Sequence, residues 1–518
     1  MWRRVIGCEG GLCAVSKRGR TTLPNRESED HRRPCAGRRE SLTGRDCLPL
    51  GAREVNRRIH VGGRSAHRRI DLENATEHFG RIRMTHTRLR SIRGVRLLLL
   101  LLIQATVGYT QGSSKTVLVE YRYFPGLATM DGNWAALKAG RDGKVYVGLA
   151  CHGCDGHLVY YDPSKDRIVD VGDLTTLAGE NGLGLGPQSK IHAKFGEGKD
   201  GRIYFATHGG WWFDYARFAT PEGYPGSHYM AFDPKTGKVR DFGIGPRFEG
   251  MNTGAYDPRF NRIYGLTHPR GHFVYYDVAT GAKVDKGRID NWDSICRTLG
   301  IDDQGNIYGS FGAGRIFQYD PRTDTIRELD ARLPVRPKGI SLGRDYDKSE
   351  TAWRVIVWDA ETRRFYGVEE SASTLFSFDP AAPSEEQVKA LGPMCIPEFV
   401  SRRDVPYATL SLTIGPDRKL YYAAAGAEFD YVSSKAAAAS HLMTYDLRSG
   451  KIQDLGEMHL PDGRPVLGTN AADTGPNGTI YFVGAVGVKE NSSDPGHGGM
   501  IQGTPFRLAL FIYHPKTN

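Results

Sequence analysis

Along residues 113–518 apolar and polar positions alternate in short runs, and each run ends in turn-forming residues. A period of two puts successive side chains on opposite faces of a β-strand. The runs themselves recur. One recurring piece is a tight turn followed by an apolar residue and a tyrosine: "DGKVY" ending at Tyr146, "DGRIY" at Tyr204, "FNRIY" at Tyr264, "QGNIY" at Tyr308, "TRRFY" at Tyr366, "DRKLY" at Tyr421 and "NGTIY" at Tyr481. The other is an apolar strand closing in an aromatic-Asp-Pro turn, as at Tyr161-Asp162-Pro163, Phe232-Asp233-Pro234, Tyr319-Asp320-Pro321 and Phe378-Asp379-Pro380. Pro and Asp shape the backbone of such turns, so their recurrence is structural. Successive tyrosines lie 58, 60, 44, 58, 55 and 60 residues apart.

Each unit therefore holds four short strands joined by tight turns. A single four-stranded sheet cannot bury both of its faces, whereas seven such sheets packed radially share a continuous core. A β-solenoid is the other repeat architecture, but its rungs are far shorter than these units. The expected fold is all-β, a seven-bladed β-propeller of four-stranded antiparallel blades. The last unit ends at "LALFIYHPKTN" without a fourth strand, and "KTVLVEYRYFPG" near residue 116 is a spare one. Residues 116–124 are thus expected to complete the last blade and clasp the ring.

The long insertions fall on one side of this pattern. Connections from second to third strand include 209–227, 426–440 and 485–505, and those between blades include 171–188, 332–350 and 380–403. Long loops on one face of a rigid scaffold are where binding is usually built. Twelve residues before each repeat tyrosine, at the mouth on that face, stand Trp134, His192, Asn252, Cys296, Arg354, Thr409 and Thr469. Four residues after it stand Ala150, His208, His268, Gly312, Glu370, Ala425 and Ala485. Positions that only pack should be filled alike, and these are not. The expected site comprises His192, His208, His268 and Arg270 as catalytic groups. Asn252, Trp211, Trp212, Tyr224, Arg354 and His152 are expected to bind substrate, because aromatic faces beside polar groups suit sugar rings. Blander readings stand beside these. A strand histidine is often satisfied by a backbone carbonyl, Trp211-Trp212 can cap a blade edge, and Arg354 with Glu370 reads as an ion pair inside blade five. His228 and His441 begin third strands, further from the axis, and are set aside.

Composition changes the picture at the N-terminus. The formal charge is +10, but residues 1–83 alone hold 19 Lys and Arg against 10 Asp and Glu. That segment has no strand or helix periodicity and reads as a disordered basic extension outside the fold, or as sequence upstream of the true start at Met84. From Met84, four arginines precede the apolar run Leu97–Ile103, and small residues follow, which is the layout of a secretory signal over residues 84–112. The run is too short to span a bilayer as a mature helix. What remains carries a charge of about −3, so no nucleic-acid partner is implied. The expectation is a secreted or periplasmic monomer with no membrane insertion after signal removal. Cys151 and Cys154 sit in "ACHGCDGH", which lacks the histidine of a haem attachment motif. A disulfide loop and two free thiols both remain open for them, and Cys296 and Cys395 complete the propeller's four.

A histidine pair with arginine suits proton abstraction next to a carboxylate, because that reaction needs a base, an acid and a positive group or metal on the carboxylate. The arrangement resembles the seven-bladed propeller polysaccharide lyases, notably the ulvan lyase type. The resemblance implies two histidines on one blade, here His192 and His208, and partners on the next, here Asn252 with His268 or Arg270. Asn252 departs from the pattern, since that type carries a tyrosine there; Tyr256 or Tyr224 would have to substitute. The activity implied is β-elimination on an acidic, uronate-containing polysaccharide or oligosaccharide. A second expectation takes His192, His208 and His268 as ligands of one divalent ion (Ca, Mn or Zn), as in the oligogalacturonide lyases and lactonase-type propellers that the chain also resembles. A third is a non-catalytic propeller that binds a glycan or a protein.

Overall fold

The computed structural model describes residues 115–210, 223–334, 352–370, 373–394, 409–424, 439–487 and 506–515. Seven sheets follow one another along the chain, each built from sequence-adjacent antiparallel strands, with an N-terminal strand added to two of them. Blade one consists of Leu137–Ala139, Val145–Leu149, His157–Asp162 and Arg167–Asp173. Blade two consists of Gly196–Glu197, Ile203–Ala206, Gly226–Asp233 and Lys238–Arg247. Blade three consists of Gly250–Asp257, Arg262–His268, His272–Asp277 and Lys283–Arg288. The inner strands of blades four to seven are Gly300–Ile301, Trp353–Asp359, Leu412–Ile414 and Val466–Thr474. The protein is a seven-bladed β-propeller, as the repeat count predicts.

Its core is divided among the seams between blades. Ile191, Phe195 and Phe205 pack with Tyr146 and Leu158 between blades one and two. Tyr204, Tyr229, Met251 and Tyr276 fill the next seam. The ring closes where Leu467, Val483 and Leu510 of blade seven meet Val145, Val147 and Val159 of blade one. Each sheet is thus covered on both faces, which explains why second strands such as Val145–Leu149 are buried along their whole length.

The recurring tyrosine has a physical reason. Its ring fills a seam and its hydroxyl reaches back to the turn before it. Tyr146 donates to Asp142 at 2.7 Å, Tyr204 to Asp200 at 3.0 Å and Tyr421 to Asp417 at 2.9 Å. The Asp-Pro turns close in the same economical way. The Asp233 carboxylate accepts the Lys235 backbone N–H at 2.9 Å, and Asp320 accepts that of Arg322 at 2.9 Å.

The N-terminal segment behaves in part as expected. Glu120–Tyr123 pairs antiparallel with Phe506–Tyr513 and supplies the missing outer strand of blade seven. Thr116–Leu118, however, leaves that blade and runs parallel to Ile452–His459, as a fifth strand of blade six. The clasp therefore spans two blades. Val117 and Val119, on one face of this segment, are both buried in the seam between them.

Four blades share a histidine clasp. His157, His228, His272 and His441 lie at or near the start of a third strand and bind the aspartate thirteen residues on, in the fourth: Asp170, Asp241, Asp285 and Asp454, at 2.9–3.1 Å. The same aspartate accepts the N–H of the glycine two residues further, for example Gly243 at 2.7 Å. These are structural histidines, in line with their place off the axis. His228 is bound twice, since its Nε2 lies 2.9 Å from Glu180 Oε1. Burial pushes its pKa down, but Asp241 and Glu180 outweigh that and hold it up at about 9. A pKa raised in the folded state gives stability that is full below the unfolded value of 6.5 and is lost as pH rises through the folded value. Melting temperature is accordingly expected to fall between pH 6.5 and about 9, and His228→Gln should flatten that fall. An identical pH profile in the variant would show that the clasp does not carry it.

Candidate functional site

His192 lies on the segment leading into blade two, and His208 two residues past the end of that blade's second strand. An isolated antiparallel bridge between Lys190 and His208 ties the two segments together. Blade three repeats the layout, with Gly250 paired to His268. The same backbone frame thus delivers His208 and His268 to equivalent points on neighbouring blades.

The rings meet. His192 and His208 stack with centroids 5.5 Å apart, and His208 and His268 lie 5.3 Å apart at 43°. Two tryptophans end the array. Trp134 stacks on His192 at 5.8 Å and 8°, and Trp292 meets His268 edge-on at 4.6 Å. All three histidines are buried. Burial, reinforced by the charges of Lys190, Arg297 and Arg354, pushes His192 well below the usual imidazole range. Burial and Lys190 do the same to His208, with His268 and His192 adding to it. Burial, Lys190 and Arg297 bring His268 down to about 3. The array is therefore three neutral imidazoles in a positive field. His208 Nδ1 lies 2.7 Å from the Gly209 carbonyl, so it carries the proton and Nε2 carries the lone pair. His192 Nδ1 and Asn252 Nδ2 are buried with no hydrogen-bond partner among the described residues, so both have bonding capacity to offer a ligand.

The cations are only partly those the sequence nominates. Arg270 turns onto Glu249, with its own side chain 61% exposed, and its place beside His268 is taken by Lys190 and Arg297. Arg297 is anchored by the Trp292 and Ile295 carbonyls, at 2.6 and 3.1 Å, and lies over the Trp292 ring. Arg354 reaches His192 by charge while its guanidinium pairs with Glu370 at 3.0 Å, the ion pair foreseen within blade five. Tyr224 does not face the cleft. It is buried in the wall, with its hydroxyl donating to Gln188 at 2.9 Å, because a phenol at that depth needs a partner. His152 does join the group, at 6.0 Å from the Trp134 ring. Trp211 and Trp212 lie outside the described residues.

Lys190, Arg297 and Trp292 belong to the site without occupying the repeat positions that mark the histidines. Lys190 was within reach, two residues before His192, and Arg297 directly follows Cys296, the blade-four counterpart of His192. Trp292 sits in a blade connection whose course no periodicity reveals.

A divalent ion does not fit this set. Among the described residues no three His, Cys, Asp or Glu side chains are placed to hold one. The imidazoles lie ring against ring, Lys190 and Arg297 add positive charge there, and the Glu370 carboxylate is taken by Arg354.

The fold and site define a β-propeller with a buried histidine–tryptophan centre at one end of its inner strands. No family model matches the chain, and no curated protein matches it. Similar solved structures include a catalytically inactive virginiamycin B lyase from Staphylococcus aureus with quinupristin, at 8% identity over 76% of this chain and 99% of that one, TM-score 0.47. A fungal alcohol oxidase of the AA5 family with copper is similar at 12% identity over 76% of each chain, TM-score 0.45. The WD40 repeats of RRP9 are similar at 10% identity over 76% of this chain and 100% of that one, TM-score 0.44. At such identities the likeness concerns the propeller fold, which the strand pairing establishes by itself.

Proposed function

We propose that the protein is a secreted carbohydrate-active propeller that performs β-elimination on a uronate-containing glycan. The observation that carries this reading is the row of three neutral imidazoles under the charges of Lys190 and Arg297. Two positive groups suit a substrate carboxylate, and neutralising that carboxylate makes the proton on the adjoining carbon removable. A neutral imidazole is the base for it, and His208 presents Nε2 in the acceptor state. The bond to the glycosidic oxygen then breaks, the electron pair of the broken carbon–hydrogen bond forms the carbon–carbon double bond, and the proton held by the imidazole passes to the leaving oxygen, which restores the neutral base.

A base of depressed pKa is weak in the empty site, and substrate corrects this. The carboxylate cancels part of the field of Lys190 and Arg297, so the proton affinity of the imidazoles rises when the glycan arrives. Base strength is in this way coupled to recognition of the acid. The expected result is a near-ultraviolet absorbance rise, from the unsaturated uronate, on at least one of ulvan, pectin, alginate or a glycosaminoglycan. Absence of a rise on all of them overturns the elimination reading. Calorimetric binding of a glycan without turnover would replace it with the non-catalytic glycan-binding propeller.

A further inference from the structure

One feature of the mouth lies beside the imidazole array and outside the reaction above. His152 sits between Asp131 and Lys190. Its Nδ1 is 2.9 Å from Asp131 Oδ1 and its Nε2 is 3.3 Å from Lys190 Nζ. A lysine ammonium can only donate, so Nε2 must accept. Nδ1 then carries the ring proton and donates it to the carboxylate. Asp131 also accepts the His152 backbone N–H at 3.0 Å through its other oxygen, which fixes the ring and the chain at one point. The side chains of His152 and Asp131 are 8% and 6% exposed, so this chain of contacts is shielded from water.

The loop that carries His152 is closed by a covalent bond. Cys151 and Cys154 form a disulfide, with Cα atoms 5.2 Å apart. Cys151 is packed into the seam between blades seven and one, whereas the loop around it is short and glycine-bearing. Its backbone is further tied to the blade-two segment, since Cys151 N–H donates to the Ser189 carbonyl at 2.9 Å, next to Lys190. The disulfide therefore adds a covalent closure to a loop already tied to Asp131 and Ser189 by its backbone.

We propose that His152, oriented by Asp131 and anchored by the Cys151–Cys154 disulfide, is a positioning residue that holds the Lys190 ammonium at the imidazole array to meet the carboxylate of an acidic sugar. The inference rests on the uronate reading for its ligand, but not for the contact itself. Lys190 acts on all three array histidines, so displacing it weakens the field that selects an acid over a neutral sugar. A residue that only supported the fold would leave that selection intact.

The test follows the full-length protein by NMR with 13C,15N-lysine, the Lys190 side-chain resonances being assigned by their loss in Lys190→Arg. His152→Ala and the milder Asp131→Asn are expected to move those resonances toward the solvent-exposed lysines, and so is Cys151→Ser combined with Cys154→Ser. Lys190 resonances unchanged in Asp131→Asn and in the double cysteine variant overturn the proposal, even if His152→Ala fails to fold. In a second arm, galacturonate and its methyl ester are titrated by calorimetry. The wild type is expected to prefer the acid, and His152→Ala to lose most of that preference. A wild type that binds both alike overturns the uronate reading alone, while the NMR arm still decides the positioning role. Retained acid preference in a folded His152→Ala, with Lys190 displaced, overturns the selection role.

Discussion

His208→Ala is expected to lower the rate of eliminative cleavage by about 10²–10⁴-fold, the range for loss of a positioned general base. Three features single out this histidine within the array. It is the middle ring, in contact with both His192 and His268. Its proton is committed to the Gly209 carbonyl through Nδ1, so the tautomer is set before substrate arrives. It is neutral, because burial and Lys190 hold its pKa well below the usual value. The last point has a second consequence. The acidic limb of the kcat/KM profile reports the free enzyme's base, and here that limb should lie well below the ordinary imidazole value of 6.5. Activity should therefore persist in mildly acidic buffer, where an ordinary histidine base would be protonated. His208→Asn, which keeps a donor toward Gly209, controls for local packing. Full activity in either variant, measured as initial absorbance rate, removes His208 from the mechanism.

Deletion of residues 115–123 is expected to destabilise the propeller by on the order of 5 kcal/mol. Val117 and Val119 would leave the seam between blades six and seven, and two buried valines alone contribute a few kcal/mol. The outer edge of Phe506–Tyr513 would also lose its partner strand, exposing unpaired backbone groups at a sheet edge. Thermal melting should drop, and size-exclusion chromatography should show association through that edge. Val119→Asp tests the packing part alone, since it buries a charge without a partner in a position that is 1% exposed. An unchanged melting temperature in the deletion would mean that the clasp closes nothing.

How much of this was legible in the chain differs between fold and site. The blade count and strand order could be read because each blade repeats the same local physics. A turn aspartate, a seam-filling tyrosine and an Asp-Pro hairpin are encoded within a few residues of one another. The histidine frame was legible for the same reason: His192, His208 and His268 occupy positions defined by the repeat. The split course of the clasp was less so. Both Thr116–Leu118 and Glu120–Tyr123 read as strand, and which blade each joins depends on which edge lies open nearby.

Arg270 and Tyr224 mark the limit most clearly. Both lie close in sequence to the site and both were expected to serve it. Arg270 finds Glu249 and faces outward, and Tyr224 finds Gln188 and sinks into the wall. The positive charge at the array comes instead from Lys190, on the segment that carries His192, and from Arg297 of blade four, while Trp292 meets His268. Repeat and strand order follow from contacts between residues close in sequence, and so the linear order of amino acids is enough to specify them. Charge, protonation and the partners of a buried side chain depend on neighbours brought from distant blades, and the folding of the ring alone decides who those neighbours are.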